Sequence, residues 1–269
     1  MTVLTLKSQP RALLEAEAIR PENLDRRPAA EIARLRVAHG NEPALLGDFF
    51  DVAGDGSLEI VLNGDLSRVK NIAARMTQGK VVVNGHAGTH LGAEMQGGEI
   101  HVFGNAGDCA GVEMTGGKIH IHGDAGHALG GALRGSRLGM RRGLILVEGS
   151  AGNETGAMMR RGLIVIKGNA GDFTGLAMIA GSIIVFGKLG LRPGAGLVRG
   201  TIVTFQPAEL LPGYRYDCRY QPDFLKMIFR DLKNHELAVP ENCMSACFHR
   251  YSGDFNRLGK GEILIHDQR

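Results

Sequence analysis

Imidazole and guanidinium groups are the side chains of this 269-residue sequence that stand at spacings chemistry could use. His101, His120 and His122 offer nitrogens of the kind that bind zinc, and Cys243, Cys247 and His249 form a second short run of soft ligands. A closed zinc site needs a fourth ligand and an open one needs a pocket, and a flat outer strand supplies neither. The cysteine run lacks a second cluster of matching spacing. The histidines are therefore read as outward-pointing solvent or interface residues, the cysteine run as buried thiols with all four cysteines free, and no metal is expected. No Ser, His and Asp set and no pair of carboxylates stands out, so no catalytic residue is assigned. The Gly-x-Ala-Gly segments are not a dinucleotide loop, because that fingerprint requires a helix after the turn. Calcium-binding nonapeptide repeats require an Asp in each turn, whereas the equivalent positions hold Thr89, Asp108, His127, Asn153, Asp172 and Leu191.

The arginines form a pattern. Arg141-Arg142 and Arg160-Arg161 occupy the same two positions in successive repeats, and a seven-residue insertion just before them adds Arg134 and Arg137. Stacking would bring these like charges about one strand spacing apart, which is unfavourable unless solvent or an anion screens them. One reading is a solvated basic edge. The sharper one is a docking strip for carboxylates, which guanidinium forks bind in bidentate fashion.

The elements that position these residues come from a repeat. Gly79, Gly98, Gly117, Gly143, Gly162, Gly181 and Gly200 begin equivalent segments at intervals of 19, 19, 26, 19, 19 and 19 residues. Each opens as Gly, then Ile or Val alternating with variable residues, then Gly, which is a short strand of period two. Further glycines follow nine and thirteen residues after each of the first six starts. A Met column (Met76, Met95, Met114, Met140, Met159, Met178) falls three residues before the next. Four glycines in nineteen residues forbid a helix, whereas corners between strands use them. The unit reads as one coil of a parallel β-helix, with Ile/Val, Ala and Met columns inside and coils ~4.8 Å apart. No sub-period of six is present, so the right-handed form is expected. The fold class is all-β, a right-handed parallel β-helix of about seven coils over 56–205, between capping segments at 1–55 and 206–269. A helix is predicted from Pro28 to Leu35. A second spans Asp223 to Leu232, with Phe224, Met227, Ile228 and Leu232 at helical spacing, and a last strand covers Glu262 to His266.

One outward column reads Val82, His101, His120, Leu146, Val165, Ile184 and Val203, and its later part is apolar on both faces of the strand. Such a strand is covered on both faces. The cover is either the chain's own C-terminal segment or another protein, and Val165 and Ile184 are the candidate partner interface.

Composition excludes other classes. Glycine accounts for 40 residues, there is no Trp, and 43% of residues are hydrophobic, which suits a packed β fold rather than a bundle or a disordered linker. A net charge of +3 lacks the concentrated basicity of nucleic-acid binders. The N-terminus turns charged at Lys7 before any signal-peptide core forms, and no apolar run reaches the ~18 residues of a membrane span. The expected location is the cytoplasm.

The repeats Gly85-His86-Ala87-Gly88, Gly104-Asn105-Ala106-Gly107 and Gly123-Asp124-Ala125-Gly126, with the insertion between Gly130 and Met140, resemble a known family. Gly47-Asp48-Phe49-Phe50-Asp51-Val52, Asn63 to Lys70, Tyr251 to Phe255 and Gly259 to Leu264 extend the likeness beyond the repeat. The chain resembles the C subunit of formylmethanofuran dehydrogenase and of its bacterial counterpart, the formyltransferase/hydrolase complex. The resemblance implies a scaffold subunit without its own active site. Its partners would be an amidohydrolase-like subunit, a dehydrogenase-related B subunit and a formyltransferase subunit. The complex would move formyl groups from a tetrahydromethanopterin-type carrier through a methanofuran-like polyglutamyl cofactor to formate. Arg134, Arg137, Arg141, Arg142, Arg160 and Arg161 then become the candidate site for the glutamate tail or for an acidic partner. Because 22 of the 31 basic residues are Arg, as in GC-rich genomes, the bacterial complex is preferred. The archaeal tungsten or molybdenum dehydrogenase is the alternative. A glutamate-synthase-like coupling domain is more distant, since the chain carries its own capping segments.

Overall fold

Each repeat contributes one short strand, and each strand pairs in parallel with its equivalent in the next repeat. A computed structural model describes residues 1–235, 237 and 239–268. Strands Glu59–Asn63, Lys80–Asn84, Glu99–Val102, Lys118–Ile121, Leu144–Val147, Leu163–Ile166, Ser182–Val185 and Arg199–Thr204 follow one another across the sheet in chain order. The register preserves the repeat, so Val82, His101, His120, Leu146, Val165, Ile184 and Val203 are successive partners. A second parallel ladder runs through Leu66, Ala87, Ala106, Ala125, Ala151, Ala170 and Leu189. Two parallel ladders per repeat mean that the chain returns to the same two places in every repeat, after nineteen residues in most and twenty-six across the insertion.

The interior follows from the columns. Ile100, Ile119, Ile145, Ile164, Ile183 and Ile202 are fully buried, as is the Met column, which Leu197 continues. Small residues make room for them. At Gly111, whose φ is +63°, an added Cβ would lie 2.7 Å from Ile145 Cδ1. A side chain there would be strained twice, by the backbone and by the core. The insertion between Gly130 and Met140 is closed at its base by Met140 N–H donating to Gly130 C=O at 3.0 Å. The register of the next repeat is thereby restored.

The corner residues do more than cap their own turns. Asp124 N–H donates to Asn105 Oδ1, Ser150 N–H to Asp124 Oδ1, Asn169 N–H to Ser150 Oγ and Lys188 N–H to Asn169 Oδ1. Asp108, His127, Asn153 and Asp172 form a parallel series in the same way. Each side chain accepts from the following repeat, which ties neighbouring repeats together.

Both ends carry added strands. Thr2–Leu6 pairs in parallel with Glu59–Asn63 and antiparallel with Phe50–Ala53. At the other end Lys260–His266 continues the parallel order from Arg199–Thr204. Phe248–Gly253 and then Arg215–Tyr220 add antiparallel strands outside it. The helix expected from Pro28 to Leu35 is one turn, Ala29–Ile32, with further one-turn helices at Pro21–Leu24 and Leu46–Phe49. Arg36–His39 starts immediately afterwards and pairs with Glu42–Leu45, so sheet pairing ends the helix early. The C-terminal helix is Asp223–Asn234, and it buries Leu225, Phe229 and Leu232. Met227, expected on the packed face, is 72% exposed, and Phe224 is also exposed. Positions i, i+4 and i+7 from Leu225 form the stripe that meets the sheet, and Phe224 and Met227 fall outside it.

Candidate functional site

Arg141 and Arg142 directly precede the strand Leu144–Val147, and Arg160 and Arg161 precede Leu163–Ile166. Their backbones are fixed by the stacking itself: Arg141 N–H donates to Met114 C=O at 2.7 Å and Arg160 N–H to Met140 C=O at 2.8 Å. The four side chains and Thr115 line an open cleft of about 360 Å³. All four arginines are exposed, and none forms a salt bridge among the described residues. The cleft is thus a concentration of positive charge without internal counter-charge, open to an anionic ligand from outside. Arg134 and Arg137 are also exposed but do not line it. The structure brings together four of the six arginines singled out in the sequence.

The histidines occupy a second place on the outward surface of the strands. His101 and His120 are register partners on adjacent parallel strands. His122 lies two residues past His120, and its ring stacks on Phe103 with centroids 4.5 Å apart and planes 4° from parallel. The His120 and His122 centroids are 4.1 Å apart. Instead of facing solvent on a flat strand, His101 is 8% exposed and His120 fully buried. Two carboxylates serve the cluster: Glu99 Oε1 lies 3.1 Å from His101 Nε2, and Glu148 Oε1 lies 3.1 Å from His120 Nε2. Lys118 holds Glu99 and Lys167 holds Glu148. Burial raises both carboxyl groups, but Lys118 with His101 and Lys167 with His120 outweigh it and hold them below the usual range. Burial, with His122 alongside, pushes His120 down to about 4. A neutral ring donating Nε2–H to Glu148 fits this environment. Sequence reasoning missed the carboxylates, although the register carries the signal, since Phe103, His122, Glu148 and Lys167 share the sixth place of successive repeats.

The remaining outward column is covered by the chain itself. Leu146, Val165, Ile184 and Val203 pack in one cluster with Leu225, Phe229, Leu232, Leu237, Val239, Cys243, Phe248 and Leu264. Val165 and Ile184, expected on a partner interface, are fully buried beneath this C-terminal segment. The apolar stripe is core, because the amphipathic helix and the strands after it supply the missing layer. Cys243 lies inside that layer, and His249 faces Asp267 at 3.7 Å. Cys243, Cys247 and His249 form no ligand group among the described residues. No helix among the described residues is long and apolar enough to cross a membrane.

Residues 67–212 match the family described as the GXGXG motif. A chain in the crystal structure of the formyltransferase/hydrolase complex from Methylorubrum extorquens, in complex with methylofuran, is 35% identical, with a TM-score of 0.93 over 99% of this chain and 100% of that one. The C subunit of the tungsten-containing formylmethanofuran dehydrogenase 2 of Methanothermobacter wolfeii is 40% identical over 96 residues, 34% of this chain and 36% of its own length. The C subunit of the molybdenum-containing formylmethanofuran dehydrogenase 1 of Methanothermobacter thermautotrophicus is 42% identical over 92 residues, 34% of this chain and 23% of its own length. The matched segment thus spans only about a third or less of these two relatives. The repeat at the heart of this chain and its end-to-end match to a chain of the Methylorubrum complex agree, and the chain belongs to the GXGXG-motif family, with C subunits of formylmethanofuran dehydrogenases among its relatives.

Proposed function

We propose that this chain is the scaffold subunit, without an active site of its own, of a formyltransferase/hydrolase complex that carries formyl groups from a tetrahydromethanopterin-type carrier through a methanofuran-like cofactor to formate. The observation that carries this reading is the likeness along the whole chain, ends included, to a chain of the Methylorubrum complex. The archaeal tungsten or molybdenum dehydrogenase is the second reading, favoured by 40% identity over a 96-residue segment. Identity that runs from end to end weighs more than identity confined to the repeat, because the flanks are what distinguish one user of a repeat from another.

In this reading the two parallel ladders are faces of a right-handed parallel β-helix of about seven coils over 56–205. Segments 1–55 and 206–269 close its ends and keep strand edges from other chains. The partners are an amidohydrolase-like subunit, a dehydrogenase-related B subunit and a formyltransferase subunit, in the cytoplasm. The cleft of Arg141, Arg142, Arg160 and Arg161 receives the carboxylates of the cofactor's polyglutamyl tail, with Arg134 and Arg137 on the insertion as outer contacts. Its support is the charge and openness of that cleft.

Native purification of the tagged chain from its own host, with mass spectrometry of accompanying chains and small molecules, tests the proposal. A formyltransferase chain together with an amidohydrolase-like chain is the expected result. A molybdopterin chain with iron–sulfur proteins would move the chain to the dehydrogenase, and a chain recovered alone would end the scaffold reading.

A further inference from the structure

We propose that His101, His120 and His122 together hold one divalent transition-metal ion of the zinc type, through one ring nitrogen each. One ring nitrogen of each of the three histidines lies within 4.8 Å of one on each of the others. Tetrahedral zinc, with Zn–N bonds of about 2.0–2.1 Å, sets its ligands about 3.3 Å apart, a distance that modest ring rotations reach. The cluster is built into the stack: the fourth place of two adjacent coils supplies His101 and His120, and the sixth place of the second supplies His122.

The surroundings resemble the outer layer of a metal site. Ligating histidines characteristically give their other ring N–H to a carboxylate, which fixes the tautomer and raises the basicity of the ligating nitrogen. Here Glu99 meets His101 Nε2 and Glu148 meets His120 Nε2, each at 3.1 Å. Lys118 and Lys167 engage the same carboxylates, so these act as acceptors for the rings and the imidazoles are the ligands. With Nε2 given to Glu148, the other nitrogen of His120, Nδ1, is buried without a hydrogen-bond partner among the described residues. A buried nitrogen lone pair with nothing to accept is rare in folded proteins, and a cation answers it. Imidazole ligands select zinc and its transition-metal neighbours over magnesium and calcium, which take oxygen. His122 is only half-buried, so the fourth coordination position opens on its side of the cluster.

The test is titration of the full-length protein, bearing no polyhistidine tag and stripped with a chelator, with Co²⁺ followed by Zn²⁺. The expected result is a visible absorption band of tetrahedral intensity that saturates at one Co²⁺ per chain and is bleached by Zn²⁺. His122→Ala, at the half-buried position, abolishes the band while circular dichroism stays unchanged. Glu148→Gln keeps the band and weakens binding by about 10–100-fold, as expected for a residue that orients a ligand. If His122→Ala fails to fold, His122→Gln takes its place. No band with Co²⁺ and no Zn²⁺ retained by wild-type protein after dialysis would overturn the proposal. So would one-per-chain binding that survives both His122→Gln and His101→Gln.

Discussion

Asp124 Oδ1 accepts the backbone N–H of Ser150 at 2.7 Å, one repeat further along the chain. The same oxygen sits 2.2 Å from where a Cβ on Gly149 would be. The corner is therefore fixed twice, by an acceptor that reaches the next repeat and by a glycine that lets it approach. A backbone hydrogen bond of this kind contributes about 1 kcal/mol. Asp124→Ala should lower Tm by roughly 2–4 °C for a chain of this size, whereas Asp124→Asn, which keeps the acceptor, should leave it nearly unchanged. Equal melting of wild type and Asp124→Ala in differential scanning calorimetry would show that the ladder contributes nothing.

The periodic part of the molecule was legible in the sequence because stacking repeats the same environment every nineteen residues. Met95, Met114 and Met140 are each fully buried, so the column identifies the core. Asn105, Asp124 and Asn169 stand beside the repeated glycines in the sequence, but their partners were not legible, since a hydrogen bond to the next repeat leaves no local trace. The C-terminal helix and last strand were legible too, but the face on which the helix packs was not. Leu225 and Phe229 form the packed stripe of the C-terminal helix only because a particular sheet face lies against them, and Phe224 and Ile228 offer a rival stripe at equal spacing. Of the candidate sites, the pairs Arg141-Arg142 and Arg160-Arg161 could be placed from register alone. The burial of His120 depends on the fold around it and could not.

Burial of the outward column makes a clear statement about Val165 and Ile184. Both are fully buried in the cluster with Phe229 and Phe248, so a charge introduced there has no water to face. Val165→Asp with Ile184→Asp should unfold the isolated chain, because burying an unpaired carboxylate costs several kcal/mol. Far-ultraviolet circular dichroism of the purified double variant reads the outcome. A folded variant that merely loses an associated protein would restore the interface expectation.

The C-terminal helix offers a paired comparison. Phe229→Ala removes a ring that is fully buried between the helix and the sheet, and such truncations cost about 3–5 kcal/mol. Met227, 72% exposed and only two residues away, should tolerate Ala within about 0.5 kcal/mol. Urea denaturation of the two variants gives both numbers. Similar costs at the two positions would mean that the helix docks through a different face.

The arginine cleft yields the prediction that bears most on function. Arg141, Arg142, Arg160 and Arg161 are exposed, so any ligand they hold is held by screened, solvent-accessible charge. Each exposed pair with a carboxylate contributes about 0.5 kcal/mol, and four acting together amount to roughly thirtyfold in affinity. Changing all four to Gln should therefore lower the cofactor content of the purified complex at low salt. Wild-type complex should lose cofactor as salt rises, while the variant, already without these charges, should respond much less. Measuring cofactor per complex by mass spectrometry across a salt series, alongside subunit composition, separates the outcomes. Intact assembly with reduced cofactor assigns the cleft to the anionic tail. Loss of a subunit with cofactor retained on the remainder assigns it to an acidic partner surface. Unchanged cofactor and unchanged assembly would leave the cleft a solvated basic edge, which stacking tolerates because water and salt screen the guanidinium groups.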